Sequence, residues 1–299
     1  MSMRVTFNGQ FRDAVADVER ASNRLANYQR QVSSGRRIDR VSDDPSGVAV
    51  ALSERTKIAQ IDQYTRSTDS AYSRLTVVDT VLSDIVAKLT AAQVAATSAL
   101  GSTITDAQRA AAAQQLDGLK AALLDDFNTS LQGTYLFAGT KSTTKPYVAD
   151  NTGTVAAYAG SATEVQVDVD QDHVVTVGFD GGSITKGSDA TDIFATIDNL
   201  IAAVNAGDSD AISNGIGLVV NMFARVTAAQ SRVGASMQAL DTEKLRLSAT
   251  RLASTERLSK LEDANMVEAI TGMQQADTAY KAALGATAAT AKVSLMDYL

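Results

Sequence analysis

The chain has 299 residues, of which 45% are hydrophobic and only 5% aromatic, with two prolines and a formal net charge of −7 at pH 7. This length allows two or three domains, and the shortage of proline leaves most of the chain free to form long helices. Cysteine is absent, which excludes disulfides, thiolate metal sites and cysteine nucleophiles. The N-terminus resembles no cleaved signal peptide, and no run approaches the ~18 apolar residues of a membrane span, so membrane insertion is not expected.

The negative charge is concentrated in the middle of the chain. Residues 145–215 contain 11 acidic and two basic side chains, a net charge of −9, whereas the flanking segments are nearly neutral. An acidic surface stays solvated, and a near-neutral surface can pack against copies of itself. Basic residues are not interleaved with aromatic ones, so nucleic acid is not an expected partner.

The first half of the chain predicts three helices. Apolar spacing indicates a helix over about residues 4–33, followed by a polar loop that ends in Asp44 and Pro45. An aspartate before a proline is typical of an N-cap followed by the first helical position, so a long helix is predicted from Pro45 to about residue 99. A third helix is predicted from Asp106, with an apolar stripe that extends to Leu131.

The second half begins with a change of period. Residues 165–170 alternate between apolar and polar, and the run Val174-Val175-Thr176-Val177 follows, which predicts two short strands of a small β domain. Helical spacing returns from Ile193 to Ala206. A last helical tract is predicted from Ser209, continuing with little interruption into the C-terminal stripe.

The two ends of the chain carry apolar residues at coiled-coil spacing. A seven-residue repeat places one apolar stripe on a helix, and that stripe needs a partner helix to cover it. Here each end can cover the other, and the stripes are the predicted assembly interface. Its candidate residues are Phe7, Phe11, Val15, Val18, Leu25, Val32, Met266, Ile270, Met273, Tyr280, Leu284 and Leu299.

The predicted fold class is therefore mainly α. We expect a long antiparallel helical rod or coiled-coil bundle formed by both chain ends, with a small β-rich domain inserted in the middle. Residues 1–40 with 265–299 would form a terminal assembly domain that is disordered in the monomer, because an isolated helix pair is marginal. Residues 41–140 with 190–264 would form the helical rod, and 141–189 an exposed acidic β domain. The stripes of the inner helices, which include Leu75 and Leu123, are interpreted as ordinary bundle core.

Candidate catalytic and ligand-binding residues are few. His173 is the only histidine, so a catalytic triad would depend on it alone. Asp168, Asp170 and Asp172 share one strand face, but the spacing of a calcium loop fails, and a solvated face is the favoured interpretation. The segment 139–142 lacks the glycine spacing of a phosphate loop. We expect no enzymatic activity, no metal and no cofactor.

The residues around the first loop match a known family. Residues 29–38, followed by 42–47, resemble the N-terminal signature that bacterial flagellins share with the hook-associated protein 3 family. The residues of this signature loop are Ser34, Gly35, Arg37, Ile38, Asp43, Asp44 and Pro45. Val41 is a departure from this signature, since the hook-associated members of the family often have proline before the serine.

Three further segments resemble the hook-associated branch of that superfamily. They are Asn128 with residues 133–147, residues 261–270, and the ending 294–299, in which Met296 replaces a usual leucine. The resemblance covers about residues 3–147 and 215–299.

The resemblance implies a structural subunit of the bacterial flagellum, used for swimming motility, that joins the hook to the flagellin filament. The implied partners are the first hook–filament junction protein, flagellin, identical subunits in a ring, and an export chaperone on the C-terminal helix. It also implies export through the flagellar type III apparatus without a cleaved signal, hence an extracellular location. Two alternatives stay open: a divergent flagellin that forms the filament itself, and a cytoplasmic coiled-coil signalling module.

Overall fold

The computed structural model describes residues 7–101, 104–151, 153–171 and 173–296, apart from the side chains of residues 7, 8, 10, 11 and 290–296. The fold is mainly helical, with long helices at both ends and a small strand-containing region in the middle, which confirms the predicted fold class. Its elements in chain order are α1 (Phe7–Ser34), α2 (Pro45–Ser98), α3 (Asp106–Phe127), β1 (Ser130–Leu131), β2 (Thr134–Tyr135), β3 (Val165–Asp170), β4 (His173–Gly178), α4 (Gly181–Thr185), α5 (Ile193–Ala206), α6 (Ser209–Glu262) and α7 (Met266–Met296).

The described residues form two compact units. The first contains the residues up to Gln60 together with those from Ala249 onwards, and the second is Ile61–Ser248. Helices α2 and α6 contribute residues to both units. The segment 141–189 belongs to the second unit together with the helices around it. The division into three domains therefore stays a prediction.

The core of the second unit is built from helical leucines and a group of aromatic rings. Leu75 and Leu123 are fully buried, which confirms their interpretation as bundle core. The ring of Phe127 lies 5.5 Å from that of Phe137 and 6.1 Å from that of Phe194, both edge to face. Edge-to-face packing suits the charge distribution of aromatic rings, so these contacts add to the burial of apolar area.

The two predicted strands pair as an antiparallel hairpin. Val167 of β3 lies opposite Val175 of β4, and the tip pairs Asp170 with His173. Val169 and Val177 are buried in the same core as the helical leucines, whereas Asp168 is exposed. The alternating sequence thus packs one face of the hairpin on the helices and leaves the other in water.

The prediction that the stripe of α3 extends to Leu131 is wrong. The helix ends at Phe127, and Leu131 lies in the short hairpin β1–β2. Asn128 stops the helix: its side-chain amide donates to the carbonyl of Tyr147 at 2.9 Å, and its carbonyl accepts from the Tyr147 amide at 3.0 Å. Tyr147 lies 19 residues away, so the apolar spacing of α3 carries no sign of this interaction.

The predicted C-terminal tract is broken between α6 and α7. The carbonyl of Gly35 accepts a hydrogen bond from the amide of Ala264 at 2.9 Å, and Asp263 forms a bridge with Arg36. Asn265 then caps α7, because its side-chain oxygen accepts from the amide of Val267 at 3.2 Å. A break of three residues barely disturbs apolar spacing, which is why the sequence predicts a nearly continuous tract.

Helix α6 passes a length and composition test for a membrane span. It is the one helix in the described part of the chain that does so. Core helices of proteins that never enter a membrane pass the same test. Val219, Met222 and Val226 of α6 are buried in the core of the second unit, so their apolar character is already explained by packing.

Candidate assembly surface on the terminal helices

The two chain ends pack against each other as an antiparallel pair. Helix α1 contacts α7. The last turn of α1 meets the start of α7, where Gly35 bonds to Ala264, and one turn further back Tyr28 lies against Gly272. Each terminal helix therefore covers part of the apolar stripe of the other, within the first unit.

The contact between the two helices is close because α7 presents small residues. Ala269 and Ala276 are buried, and Gly272 lies between them on the same face. A Cβ atom on Gly272 would lie 2.6 Å from the Cε1 atom of Tyr28. The aromatic ring thus occupies the space that any larger residue would need, which fixes the separation of the helices at this point.

The predicted interface residues divide into two groups. Val18, Leu25, Val32, Met273 and Tyr280 are partly buried. The exposed group lies between 38% and 42% solvent-exposed and consists of Val15, Met266, Ile270 and Leu284. Leu299 and the side chains of Phe7 and Phe11 lie outside the described residues.

The buried residues of α7 lie one position before the residues that the seven-residue repeat predicts. The seven-residue repeat pairs Met273 and Tyr280 with Ile270 and Leu284, but the buried positions are Ala269 and Ala276. Alanine is a weak apolar signal, so the repeat favoured the larger neighbours. Since each helical residue turns by about 100°, Met266, Ile270 and Leu284 instead form an outer stripe on the flank of α7.

The helix pair also buries few of its own side chains. Among the side chains of α1 that the structure describes, none is fully buried. A helix of 28 residues in which none of the described side chains is buried gains little from packing within one chain. Further burial of α1 and of the outer stripe requires a partner.

The first half of the signature loop joins α1 to the α6–α7 break. Helix α1 ends at Ser34, and Gly35 follows with a φ of +70°, a left-handed conformation that favours glycine and is common just after the end of a helix. The amide of Arg37 donates to the carbonyl of Glu262 at 2.6 Å, and its guanidinium donates to the carbonyl of Leu261 at 2.9 Å. The buried side chain of Ile38 completes this joint.

The second half of the loop is shaped by two aspartates. Asp43 accepts from the amide of Arg40 at 2.9 Å, and Asp44 accepts from the amide of Gly47 at 2.9 Å, which confirms Asp44 as the cap of α2 ahead of Pro45. The backbone hydrogen bond from Arg40 lowers the pKa of Asp43, and the one from Gly47 lowers the pKa of Asp44. Both carboxylates therefore act here as charged turn and cap groups.

The structure shows two ion pairs in the first unit that the sequence does not predict. Arg55 of α2 lies 2.6 Å from Glu262, whose side chain is almost fully buried, and Arg257 lies 3.2 Å from Glu54. The partners are about 200 residues apart in sequence. Charge spacing along one helix cannot reveal pairs of this kind.

Comparison with known families gives the class of the protein. Residues 7–142 match the bacterial flagellin N-terminal helical region, and residues 216–299 match the bacterial flagellin C-terminal helical region. The two matches together cover most of the chain and include both helices of the terminal pair. The chain therefore belongs to the bacterial flagellin family.

Within the family, the chain is similar to hook-associated proteins. Flagellar hook-associated protein 3 of Escherichia coli K12 is 27% identical over 278 residues, which covers 85% of this chain and 86% of the relative. Its counterpart from Salmonella typhimurium LT2 is 27% identical over 215 residues, or 68% of this chain and 67% of that protein.

Solved structures share the fold. A flagellar hook-associated protein from Vibrio parahaemolyticus superposes with a TM-score of 0.69 at 19% identity, covering 74% of this chain and all of that one. Hook-associated protein 3 from Legionella pneumophila gives a TM-score of 0.63 at 16% identity, covering 70% and 98%.

Proposed function

We propose that this chain is a structural subunit of the bacterial flagellum that forms the junction between the hook and the flagellin filament. The observation that carries the proposal is the exposed outer stripe on a helix pair that belongs to the flagellin family. The similarity to proteins named hook-associated protein 3 over 85% of the chain supports the junction role. A structural role requires no catalytic centre.

The partners that the family resemblance implies would use the same surface. Identical subunits in a ring, the first junction protein and flagellin would cover the apolar flanks of α1 and α7. Met266, Ile270 and Leu284 would each lose exposed apolar area on assembly, and removal of apolar area from water is the main driving force for association. The same stripe of α7 would bind an export chaperone before assembly.

The proposed location is extracellular, after export through the flagellar type III apparatus without a cleaved signal. The acidic middle segment supports an outward position for that part of the chain, since its charge keeps it solvated. Asp168 and His173 of the hairpin are exposed and fit this orientation.

A filament-forming flagellin is the second candidate, because the family match is shared with it. Deletion of the gene in its own bacterium separates the two. A junction protein is required to retain flagellin, so we expect intact hooks with flagellin released into the medium. Absence of flagellin from both cells and medium would show that this chain is the filament subunit.

The assembly surface itself is tested by two matched substitutions on α7. Leu284 is 42% exposed on the outer stripe, and Ala276 is 8% exposed in the contact with α1. We expect Leu284→Asp to change the monomer's free energy of unfolding by no more than about 0.5 kcal/mol but to prevent incorporation into flagella. Ala276→Asp should instead loosen the helix pair in the monomer, because it places a charge in a tight apolar contact.

Incorporation is measured by isolating flagella from cells that carry each variant, and monomer stability by thermal unfolding. A fall in the monomer's thermal midpoint with Leu284→Asp would place Leu284 in the internal packing of the chain. Normal incorporation of that variant would rule out the outer stripe as an assembly surface.

A further inference from the structure

Three side chains that are distant in sequence converge at the tip of the β3–β4 hairpin. Asp170 ends β3, His173 begins β4, and Glu243 projects from α6 towards both. One ligand atom from each lies within 4.8 Å of the others, and His173 Nδ1 is 3.7 Å from Glu243 Oε2. The sequence suggested only a solvated strand face, since Glu243 lies 70 residues further along the chain.

The carboxylate of Glu243 is the buried member of this cluster. Its side chain is 7% exposed, compared with 71% for His173. Burial raises the pKa of Glu243, and the imidazole of His173 opposes that rise. A buried carboxylate costs free energy unless a cation pairs with it, so the site favours a bound positive charge.

Arg246 supplies that charge in the structure. Its guanidinium lies 2.7 Å from Glu243 Oε1 and also pairs with Asp170, so one cation bridges both carboxylates. The Arg246 side chain is half exposed. A smaller cation that carries two positive charges would compete with its guanidinium for the two carboxylates.

We propose that Asp170, His173 and Glu243 bind a divalent transition-metal ion, with zinc as the representative, that fastens the hairpin tip to α6. One imidazole and two carboxylates are a ligand set that suits zinc, with water completing the coordination.

The three ligand atoms must move slightly closer together to bind the ion. Metal–ligand bonds of about 2.0–2.2 Å place the ligand atoms of a tetrahedral zinc site roughly 3.3–3.6 Å apart. The pair His173–Glu243 is already near this separation at 3.7 Å. Because His173 is exposed, rotation of its side chain can bring the imidazole to the two carboxylates.

The composition of the chain simplifies a test of zinc binding. It contains a single histidine and no cysteine, so side-chain nitrogen and sulfur ligands for zinc reduce to His173. Zinc chloride is titrated into the full, untagged, chelator-treated chain by calorimetry. We expect one zinc ion per chain, and a thermal midpoint that rises with zinc concentration because the ion binds only the folded site.

Two ligand variants and one control variant test which residues bind zinc. His173→Gln and Glu243→Gln should each weaken zinc binding by more than about tenfold, since loss of even an indirect ligand contact costs 10- to 100-fold. Asp168→Asn is the matched control: it removes an exposed carboxylate from the same strand, outside the cluster, and should bind zinc as the unaltered chain does. Circular dichroism verifies that each variant is folded.

Arg246→Gln should change the zinc affinity in the opposite direction. It removes the cation that competes for the two carboxylates, so zinc should bind more tightly than to the unaltered chain. The proposal is overturned if the unaltered chain binds no zinc, or if His173→Gln binds it equally well. An unchanged affinity in Arg246→Gln would overturn the assignment of Asp170 and Glu243 as ligands.

Discussion

At the scale of single residues, the packing of Tyr28 on Gly272 sets how closely α1 and α7 approach. Replacement of a helical glycine by alanine normally stabilises a helix by about 1 kcal/mol. At Gly272 the new Cβ would lie 2.6 Å from the tyrosine ring, so we expect Gly272→Ala to destabilise the pair by roughly 1–3 kcal/mol through overpacking. Amide hydrogen exchange of α1 and α7 measures this local free energy.

Gly285 on the same helix is the matched control. Nothing lies within 4 Å of the position that its Cβ would occupy. Gly285→Ala should therefore slow exchange in α7 by the amount that helix propensity predicts. Equal effects of the two substitutions would show that the ring of Tyr28 does not determine the separation of the helices.

The cap residue Asp44 makes the start of α2 sensitive to acid. Its pKa in the folded chain lies below the usual 3.8, first because of the hydrogen bond from the amide of Gly47. The stabilisation is therefore fully present above pH 3.8 and is lost as the pH falls through the lower, folded value. The amide chemical shift of Gly47 should titrate with a midpoint below 3.8.

Asp44→Asn provides the control for this titration. Asparagine is an equally good cap but carries no charge, so the start of α2 should persist and its acid-dependent loss should disappear. A Gly47 midpoint at or above 3.8 would contradict the role of the hydrogen bond.

At the scale of elements, the separation of α6 from α7 depends on the cap at Asn265. Its side-chain oxygen accepts from the amides of Val267 at 3.2 Å and Glu268 at 3.4 Å. Asn265→Ala should cost about 1 kcal/mol and speed exchange of both amides, whereas Asn265→Asp should retain the cap. Unchanged exchange in Asn265→Ala would indicate that the joint with residues 35–37 alone starts α7.

The element boundaries show what periodicity can and cannot predict. The start of α2 is predicted because its capping residues, Asp44 and Pro45, adjoin it in sequence. The end of α3 and the α6–α7 break are not, since Asn128 and Asp263 act through partners far along the chain, Tyr147 and Arg36.

At the scale of the whole molecule, the two compact units should respond differently to loss of the C-terminal helix. Removal of residues 266–299 takes away the packing partner of α1 but no part of the Ile61–Ser248 unit. We expect the main unfolding transition to persist, hydrogen exchange in α1 to become fast, and incorporation into flagella to stop. Measurements by calorimetry and hydrogen exchange test the first two points. Loss of the main transition would show that the second unit depends on α7.

The sequence by itself determined the helical class, the positions of strands β3 and β4, the pairing of the ends and the family. These depend on local periodicity, caps and motifs, all of which are contiguous in the chain. Only the tertiary structure decided which flank of α7 is buried, because Ala269 and Ala276 are weak signals that become an interface only against Tyr28 and its neighbours. It alone also brought Glu243 to His173, since burial and charge pairing across 70 residues depend on how the chain is folded.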